Sequence, residues 1–584
     1  MNWDLTALYQ DFDDPRLAED FTRAEAALAD ILAAVDKPAL TQADWEGAVD
    51  ALNAAEGVLS RLGNMIQLTL AADATHPQAN ALRDKLLALD MADSQVKSAL
   101  CRLAGADDAL EDKIAASPTL SEHAFFLREL RDQAAHTLPA EIEGPVLAMQ
   151  KTGSRAFEQL RDTLDATHLI TLTVDGREQT LPLSAVRGLA YSSDAATRKA
   201  AYEAELAAYP RMELPMLACL NSIKGEALTL CDLRGYADPL DHTLAVSRMD
   251  RETLDAMIGA MEAYLPAFRK YLKAKARALG HTGGLPFYDL FAPLGGGEGN
   301  AYTVEQARQY LVEVLGTFSA KMANFVDNAF AQRWIDMFPR AGKTGGAFCA
   351  PVYAIKQSRV LTNFSGDFSS VTTLGHELGH GYHNLCIFEN TALNTEYPMP
   401  LAETASIFNE TLLSHAALKT ATGERAKMLL DFQLQEETQV IVDILSRFYF
   451  ERAFFAARRD HAVSVEEAKA MMIQAQRDTY GDGLDENYLH PYMWACKSHY
   501  YSAELNYYNF PYAFGLLFGK GVFAQYLAQG EAFLPRYDQL LASCGRGSVA
   551  DVARSVGIDV RDAAFWRQSL DEIAGMIDQF DQLV

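Results

Sequence analysis

The sequence predicts a mainly α-helical protein with a small β-sheet set beside a metal-binding helix. Three observations predict it. Apolar residues recur at helical spacing through long stretches of the 584 positions. Strand-like patterning is confined to two short regions, near residues 169–183 and 346–364. Directly after the second of these comes V-T-T-L-G-H-E-L-G-H-G-Y-H, running from Val371 to His383. It contains His376-Glu377-x-x-His380, a pattern whose chemistry depends on a helix, because positions four apart project from one face.

Composition bounds the class. Hydrophobic residues make up 49% of the chain, enough for a globular protein with a large core. The formal charge of −27 leaves no basic surplus to replace phosphate counterions, so a nucleic-acid partner is not expected. Seven cysteines are scattered and form no C-x-x-C pair, which reads as reduced thiols. The start, Met1-Asn2-Trp3-Asp4-Leu5, has no basic region ahead of an apolar run, and no apolar stretch is long enough for a membrane span. The expectation is a soluble, cytoplasmic protein.

Taken in order, residues 1–190 read as a helical region closing in a β-hairpin, and residues 191–584 as the catalytic part. Residues 21–35 and 78–103 are amphipathic, and Pro77 suits a helix start. His76, His123 and His136 show no ligand spacing and are expected to be ordinary. At the seam, alternating apolar residues flank Asp175-Gly176, a dipeptide favoured in two-residue hairpin turns. Helical pattern resumes over residues 195–230, 251–279 and 304–328, with a glycine-rich loop at 295–299. Gly342-Lys343-Thr344 imitates a phosphate loop, but the position needing glycine five residues earlier is Met337, so nucleotide binding is set aside. Residues 346–353 and 360–364 read as two strands across a polar turn. Pro351 belongs on a sheet edge. Such an edge could hold an extended peptide or simply support the helix that follows.

On that helix His376 and His380 can share one zinc ion, with Glu377 alongside as the base for a water molecule. A catalytic zinc needs a third protein ligand and one open position. The metzincin spacing would put Gly at 383 and His at 386, but those positions hold His383 and Cys386, which excludes that subclass. The remaining source is a carboxylate on a following helix. Met399-Pro400 supplies a helix start and Glu403 falls in its first turn, so Glu403 is assigned as third ligand. Glu410, two turns on along the same face, is a candidate to orient a ligand imidazole. His383 lies about 340° around the helix from His376 but nearly two turns along it, too far for the same ion. It is expected to line the pocket, and Cys386 to be a small core residue.

The order H-E-L-G-H-G-Y-H, then E-T-A-S with a second Glu seven residues on, resembles the thimet-oligopeptidase family of zinc metallopeptidases, above all its oligoendopeptidase F branch. Further likeness lies in W-D-L-T-A-L-Y at Trp3–Tyr9, R-K-A-A-Y-E-A at Arg198–Ala204, L-R-G-Y at Leu233–Tyr236 and F-Y-D-L at Phe287–Leu290. It covers nearly the whole chain and is most specific between Gly345 and Gly515. The resemblance implies an elongated multi-helix molecule with a deep central channel, one zinc on the channel floor, and short unstructured peptides as substrates. It also implies that a downstream His and tyrosines bind the substrate carbonyl. In W-A-C-K-S-H-Y-Y-S-A-E-L-N-Y-Y-N-F-P-Y-A-F-G, His499 takes the His position and Tyr508 and Tyr512 fit the tyrosines, with Tyr501 and Tyr507 as competitors.

The expected activity is zinc-dependent hydrolysis of internal peptide bonds, with Glu377 as general base. A rival is an exopeptidase of the carboxypeptidase or dipeptidyl-carboxypeptidase kind, which needs a fixed cation for the substrate's terminal carboxylate. A second rival, a helical scaffold with a structural metal, calls for four protein ligands where three are found.

Overall fold

The computed structural model describes residues 2–174, 176–295 and 302–584. Local chemistry sets the helix starts. Asp14 accepts from the Arg16 amide ahead of Pro15–Ala34, and Pro15 stands in its first turn. Thr41 and Asp44 form a reciprocal capping box at the head of Gln42–Ala72. His76 caps Pro77–Ala106 through the Ala79 amide, so a histidine without ligand spacing has a structural task. The Asp14 cap lies upstream of the first apolar residue of its pattern, so the first helix begins six residues before the expected position, whereas the third begins at Pro77 as expected. Their inner faces bury Leu28, Trp45, Leu52, Leu62, Val96 and Leu100. Trp45 satisfies its indole by donating to Asp107 at 2.9 Å.

The protein is mostly helical, with two small sheets among the described residues. Strands β1 (Leu169–Val174) and β2 (Arg177–Pro182) form the predicted antiparallel hairpin, closed by the Val174 and Arg177 pair with Gly176 at φ +71°. Asp175 and residues 296–299 of the glycine-rich run lie outside the described residues. The second sheet comprises β3 (Ile335–Asp336), β4 (Phe348–Val352) and β5 (Gln357–Leu361) in the order β3-β5-β4. Strand β5 runs parallel to β3 and antiparallel to β4, which puts Pro351 on an edge strand as expected. The turn between β4 and β5 is tight: Tyr353–Ile355 makes a 3-10 turn and Lys356 takes a left-handed conformation at φ +51°. Strand β5 therefore starts three residues before the predicted position. Lys343 of the false phosphate loop pairs with Asp336 at 2.7 Å and donates to the Phe338 carbonyl at 2.9 Å. It ties β3 to the loop that follows.

By proximity the chain groups into two units. The first takes Met1–Thr137, Gly299–Ala416 and Val522–Ile558; the second takes Leu138–Glu298, Ala417–Gly521 and Asp559–Val584. The boundary expected near residue 190 concerns chain order alone, whereas each of these units draws on three stretches. The first contains the three long N-terminal helices, the three-stranded sheet and the His376 helix. The second contains the hairpin and the helices Glu213–Arg234, Arg251–Ala278 and Ala563–Leu583. Its predicted helix over 195–230 is split at Tyr209–Arg211, where Pro210 cannot donate a helical hydrogen bond. In the first unit, the helix predicted over 304–328 divides at Ser319, which caps Ala320–Ala331. No helix among the described residues is long and apolar enough to cross a membrane.

Candidate metal centre

Asp367 opens the helix Phe368–Ile387 by accepting from the Ser370 amide at 2.7 Å. Two glycines one turn apart, Gly375 and Gly379, set how close that helix comes to Thr404–Thr420. A Cβ on Gly379 would lie 2.6 Å from the Ala405 carbonyl oxygen and 2.7 Å from the Ser406 Cα. The Gly375 carbonyl accepts from buried Asn409 Nδ2 at 3.0 Å. At Gly379 the two helices meet backbone to backbone, while the space beside Gly375 is filled by the Leu413 side chain.

That approach delivers Glu403. The helix predicted to start at Met399-Pro400 is in fact two pieces, Met399–Ala402 and Thr404–Thr420, and Glu403 sits at the break with φ −86° and ψ 2°. The break has a local cause: Thr404 Oγ1 donates to the Leu401 carbonyl at 2.8 Å, while the Glu403 carbonyl still accepts from the Ile407 amide at 3.0 Å. Ser406 Oγ donates to Glu403 Oε2 at 2.7 Å and orients the carboxylate.

His376 Nε2, His380 Nε2 and Glu403 Oε2 form a triangle with sides of 3.2, 3.3 and 3.4 Å. Among the described residues it is the one group of three His, Cys, Asp or Glu donors gathered within 4.8 Å of one another. Corners of a tetrahedron around an ion held at about 2.05 Å are separated by about 3.3 Å, so the spacing suits zinc. The other ring nitrogen of His376, Nδ1, lies 2.9 Å from Glu410 Oε1. A carboxylate there fixes the proton on Nδ1 and leaves Nε2 a lone pair. Donor atoms converging in this way need a shared positive charge, which is a metal ion or, without one, a second proton on the His376 ring. The donor set therefore fits a divalent metal of zinc's preferences.

Electrostatics follow the same geometry. Burial opposes charging of His376, but the Glu403 and Glu410 carboxylates outweigh it and hold its pKa well above the ordinary histidine value. Burial pushes Glu403 up, yet the two imidazoles hold it well below the usual carboxylate range. Glu377 is 6% exposed, and burial raises its pKa against the pull of the neighbouring histidines. A carboxyl shifted in that direction is a better proton acceptor than an exposed one.

His383 does not line a pocket. It is fully buried and stacks on Tyr397, ring centroids 4.3 Å apart at 12°. Its place nearly two turns from His376 turns it into the core, and burial lowers its pKa to about 3. Cys386 is buried, as a small core residue should be.

His499, Tyr508 and Tyr512 belong to the second unit and are close to one another. His499 stacks on Tyr508 at 4.8 Å and 15°, and the Tyr512 hydroxyl donates to that of Tyr508 at 3.4 Å. Both tyrosines are partly exposed. The competitors are packed away: Tyr501 is 1% exposed beneath Arg161, and Tyr507, 6% exposed, stacks on Phe455. Burial, then Arg447 and Lys497, lower the His499 pKa to about 4, so its ring is neutral at pH 7. The sequence reading missed Gly375 and Gly379, although G-x-x-x-G inside the motif was visible as a signal for close helix contact.

Residues 188–572 match the family model described as Peptidase family M3, and residues 103–168 that described as Oligopeptidase F. Group B oligopeptidase PepB of Streptococcus agalactiae is 26% identical over 417 residues, spanning 70% of this chain and 68% of its own. Oligopeptidase PepF of Bacillus subtilis is 22% identical over 485 residues, spanning 82% and 71%. Among solved structures, oligoendopeptidase-F from Enterococcus faecium superposes with a TM-score of 0.69 at 18% identity, covering 97% of both chains. A structure from Chlamydophila abortus reaches 0.84 at 21% identity over 98% of both. At such identities the superpositions speak to the fold alone.

Proposed function

The chain belongs to peptidase family M3, and from that premise we propose that it is a zinc-dependent endopeptidase that hydrolyses internal bonds of short, unstructured oligopeptides. The observation that carries the reading is the triangle of His376, His380 and Glu403 donor atoms, spaced as a tetrahedral ion requires. These three residues would hold one zinc ion, which when bound supplies a Lewis acid for the substrate carbonyl and a more acidic water.

The chain's own groups do the rest. Glu377, adjacent to one ligand and buried, accepts the proton of the attacking water and passes a proton to the leaving amine. Glu410 keeps the His376 proton on Nδ1, so Nε2 stays available as a ligand. For the substrate carbonyl, the family likeness nominates His499, Tyr508 and Tyr512. Exposure supports the two tyrosines, because both are partly exposed while Tyr501 and Tyr507 are buried. A donor of this type is worth roughly 3–4 kcal/mol of barrier.

The test is a Glu377→Gln variant assayed on quenched peptides capped at both ends. Wild-type protein should cut them internally and lose activity with chelator. The variant should retain its metal and lose turnover by at least a hundredfold. Wild-type turnover in the variant would remove Glu377 from its role, and failure to cut any doubly capped peptide would favour an exopeptidase.

A further inference from the structure

The segment that carries Tyr508 is held in place by groups the reaction does not use. Residues 502–509 form neither helix nor strand, between the 3-10 turn Ser498–Tyr501 and the helix Phe510–Gln529. Within it Tyr507 takes a left-handed conformation at φ +51°. A bulky residue rarely adopts that backbone, because its Cβ crowds the following carbonyl oxygen. Such a conformation persists only where its surroundings over-determine it, and it gathers at functional sites.

The surroundings here are specific. On one side stands Asn506, 5% exposed, whose side-chain oxygen accepts from Lys224 Nζ at 2.9 Å and whose carbonyl accepts from Thr243 Oγ1 at 2.7 Å. On the other stands Asn509, also buried, whose side-chain oxygen accepts from Arg447 Nη1 at 3.1 Å. Between them the Tyr507 ring packs against Phe448 and Phe455, at centroid distances of 5.3 and 5.7 Å. These partners come from the helices Glu213–Arg234, Pro239–Val246 and Ile444–Asp460. The turn is thereby clamped at both ends, while Tyr508 is left partly exposed and stacked on His499.

Helix packing alone does not call for Lys224. Its side chain is 1% exposed and pairs with Glu451, 2% exposed, at 2.5 Å. Burying two charges costs about as much as their attraction returns, and well-packed apolar residues of similar volume would join the helices as well or better. Apolar residues could not grip the Asn506 amide. An ammonium can, because it has donors to spare after Glu451 has taken one, and its hydrogen bond is stronger than a neutral one.

Resting on the assignment of Tyr508 as a donor to the substrate carbonyl, we propose that Asn506, gripped by Lys224 and Thr243, is a positioning residue for the reaction. It fixes the strained turn at Tyr507, so that the Tyr508 hydroxyl is in place before the substrate arrives and no rearrangement is needed as charge develops on the carbonyl oxygen.

The test compares Asn506→Ala and Thr243→Val in the wild-type chain and in Tyr508→Phe. Steady-state kinetics on one quenched peptide and amide hydrogen exchange of residues 502–509 are the two readouts. Asn506→Ala should lower kcat at least tenfold with KM changed less than threefold, since a misplacement of about 1 Å can cost about 100-fold. Thr243→Val, which loses only a hydroxyl, should lower kcat about three- to tenfold. In the Tyr508→Phe background both replacements should change kcat less than twofold, because the group they place is gone. Exchange in the segment should quicken about tenfold in either variant. Equal losses of kcat in the two backgrounds, wild-type kcat in a folded Asn506→Ala protein, or unchanged exchange overturn the proposal. Failure of both variants to fold overturns it too, by making the network structural; if Asn506→Ala alone fails, Thr243→Val decides by the same comparison. Should Tyr508→Phe itself keep wild-type kcat while exchange responds, the carbonyl-donor assignment falls and the anchoring of the turn stands.

Discussion

Replacing Gly379 by alanine adds one methyl group at the closest contact behind the metal centre. Its carbon would sit 2.6 Å from the Ala405 carbonyl oxygen and 2.7 Å from the Ser406 Cα, both backbone atoms that cannot rotate away. Carbon contacts are comfortable near 3.5–4.0 Å, so the two helices must part by about 1 Å. Alanine gains about 1 kcal/mol in helix propensity, while overpacking of this kind costs about 1–3 kcal/mol. The net is a destabilisation of up to about 2 kcal/mol. The larger effect is on Glu403, which precedes Ala405 by two residues. A displacement of about 1 Å spoils the 3.3 and 3.4 Å sides of the donor triangle, and affinity for zinc should drop about 10- to 100-fold. Thermal unfolding and zinc retention against a graded chelator measure the two effects. Gly47→Ala is the control, since its Cβ would meet nothing within 4 Å, and it should leave zinc affinity unchanged. A Gly379→Ala protein with wild-type zinc affinity and midpoint would refute the claim that this contact positions Glu403.

Glu410→Gln should keep the fold and weaken zinc binding about tenfold, because a neutral amide holds the Nδ1 proton of His376 less firmly; competition with a fluorescent chelator reads it. Tyr508→Phe should lower kcat about 100-fold or more, while Tyr507→Phe, in a packed environment, should change kcat less than threefold. Steady-state kinetics on one peptide compares them, and the reverse order would reassign the carbonyl donor. His499 has its pKa depressed to about 4 from an ordinary 6.5, so the unfolded chain binds more protons between those values. Its contribution to stability is whole above pH 6.5 and falls away as pH drops toward 4, by on the order of 2 kcal/mol after discounting for partial exposure. His499→Gln should therefore show a shallower loss of melting temperature between pH 7 and 4.5 than wild type, and parallel curves would contradict the burial argument.

What could be read from the sequence was local chemistry. Pro77 marked a helix start, Asp175-Gly176 marked a hairpin, Pro351 marked an edge strand, and the spacing of His376 and His380 put two imidazoles on one face. Glu403 was placed by the period of a helix that turns out to be broken at that residue, yet the side chain still arrives. The break depends on a hydroxyl at Thr404 competing for a carbonyl, which periodicity does not record. Strand β3 has only two residues, too few to show alternation. The fate of His383 was missed because its angle on the helix says nothing of what packs opposite, and Tyr397 comes from fourteen residues further along. Exposure separates Tyr508 and Tyr512 from Tyr501 and Tyr507, and exposure is set by distant residues such as Arg161 and Phe455.

The interleaved make-up of the two units bears on how the chain is born. The first unit begins with Met1–Thr137 but waits for Val522–Ile558 to be complete. The interval from residue 137 to residue 522 is 385 positions, which a ribosome crosses in about 20–80 s at roughly 5–20 residues per second. The leading helices pack mostly on one another, but Val352, Leu361 and Leu393 of their core cluster come much later, and both imidazoles and the acid that could capture an ion are made only once more than six-tenths of the chain exists. The nascent polypeptide must therefore survive most of its own translation with neither its finished core nor a bound metal to steady it.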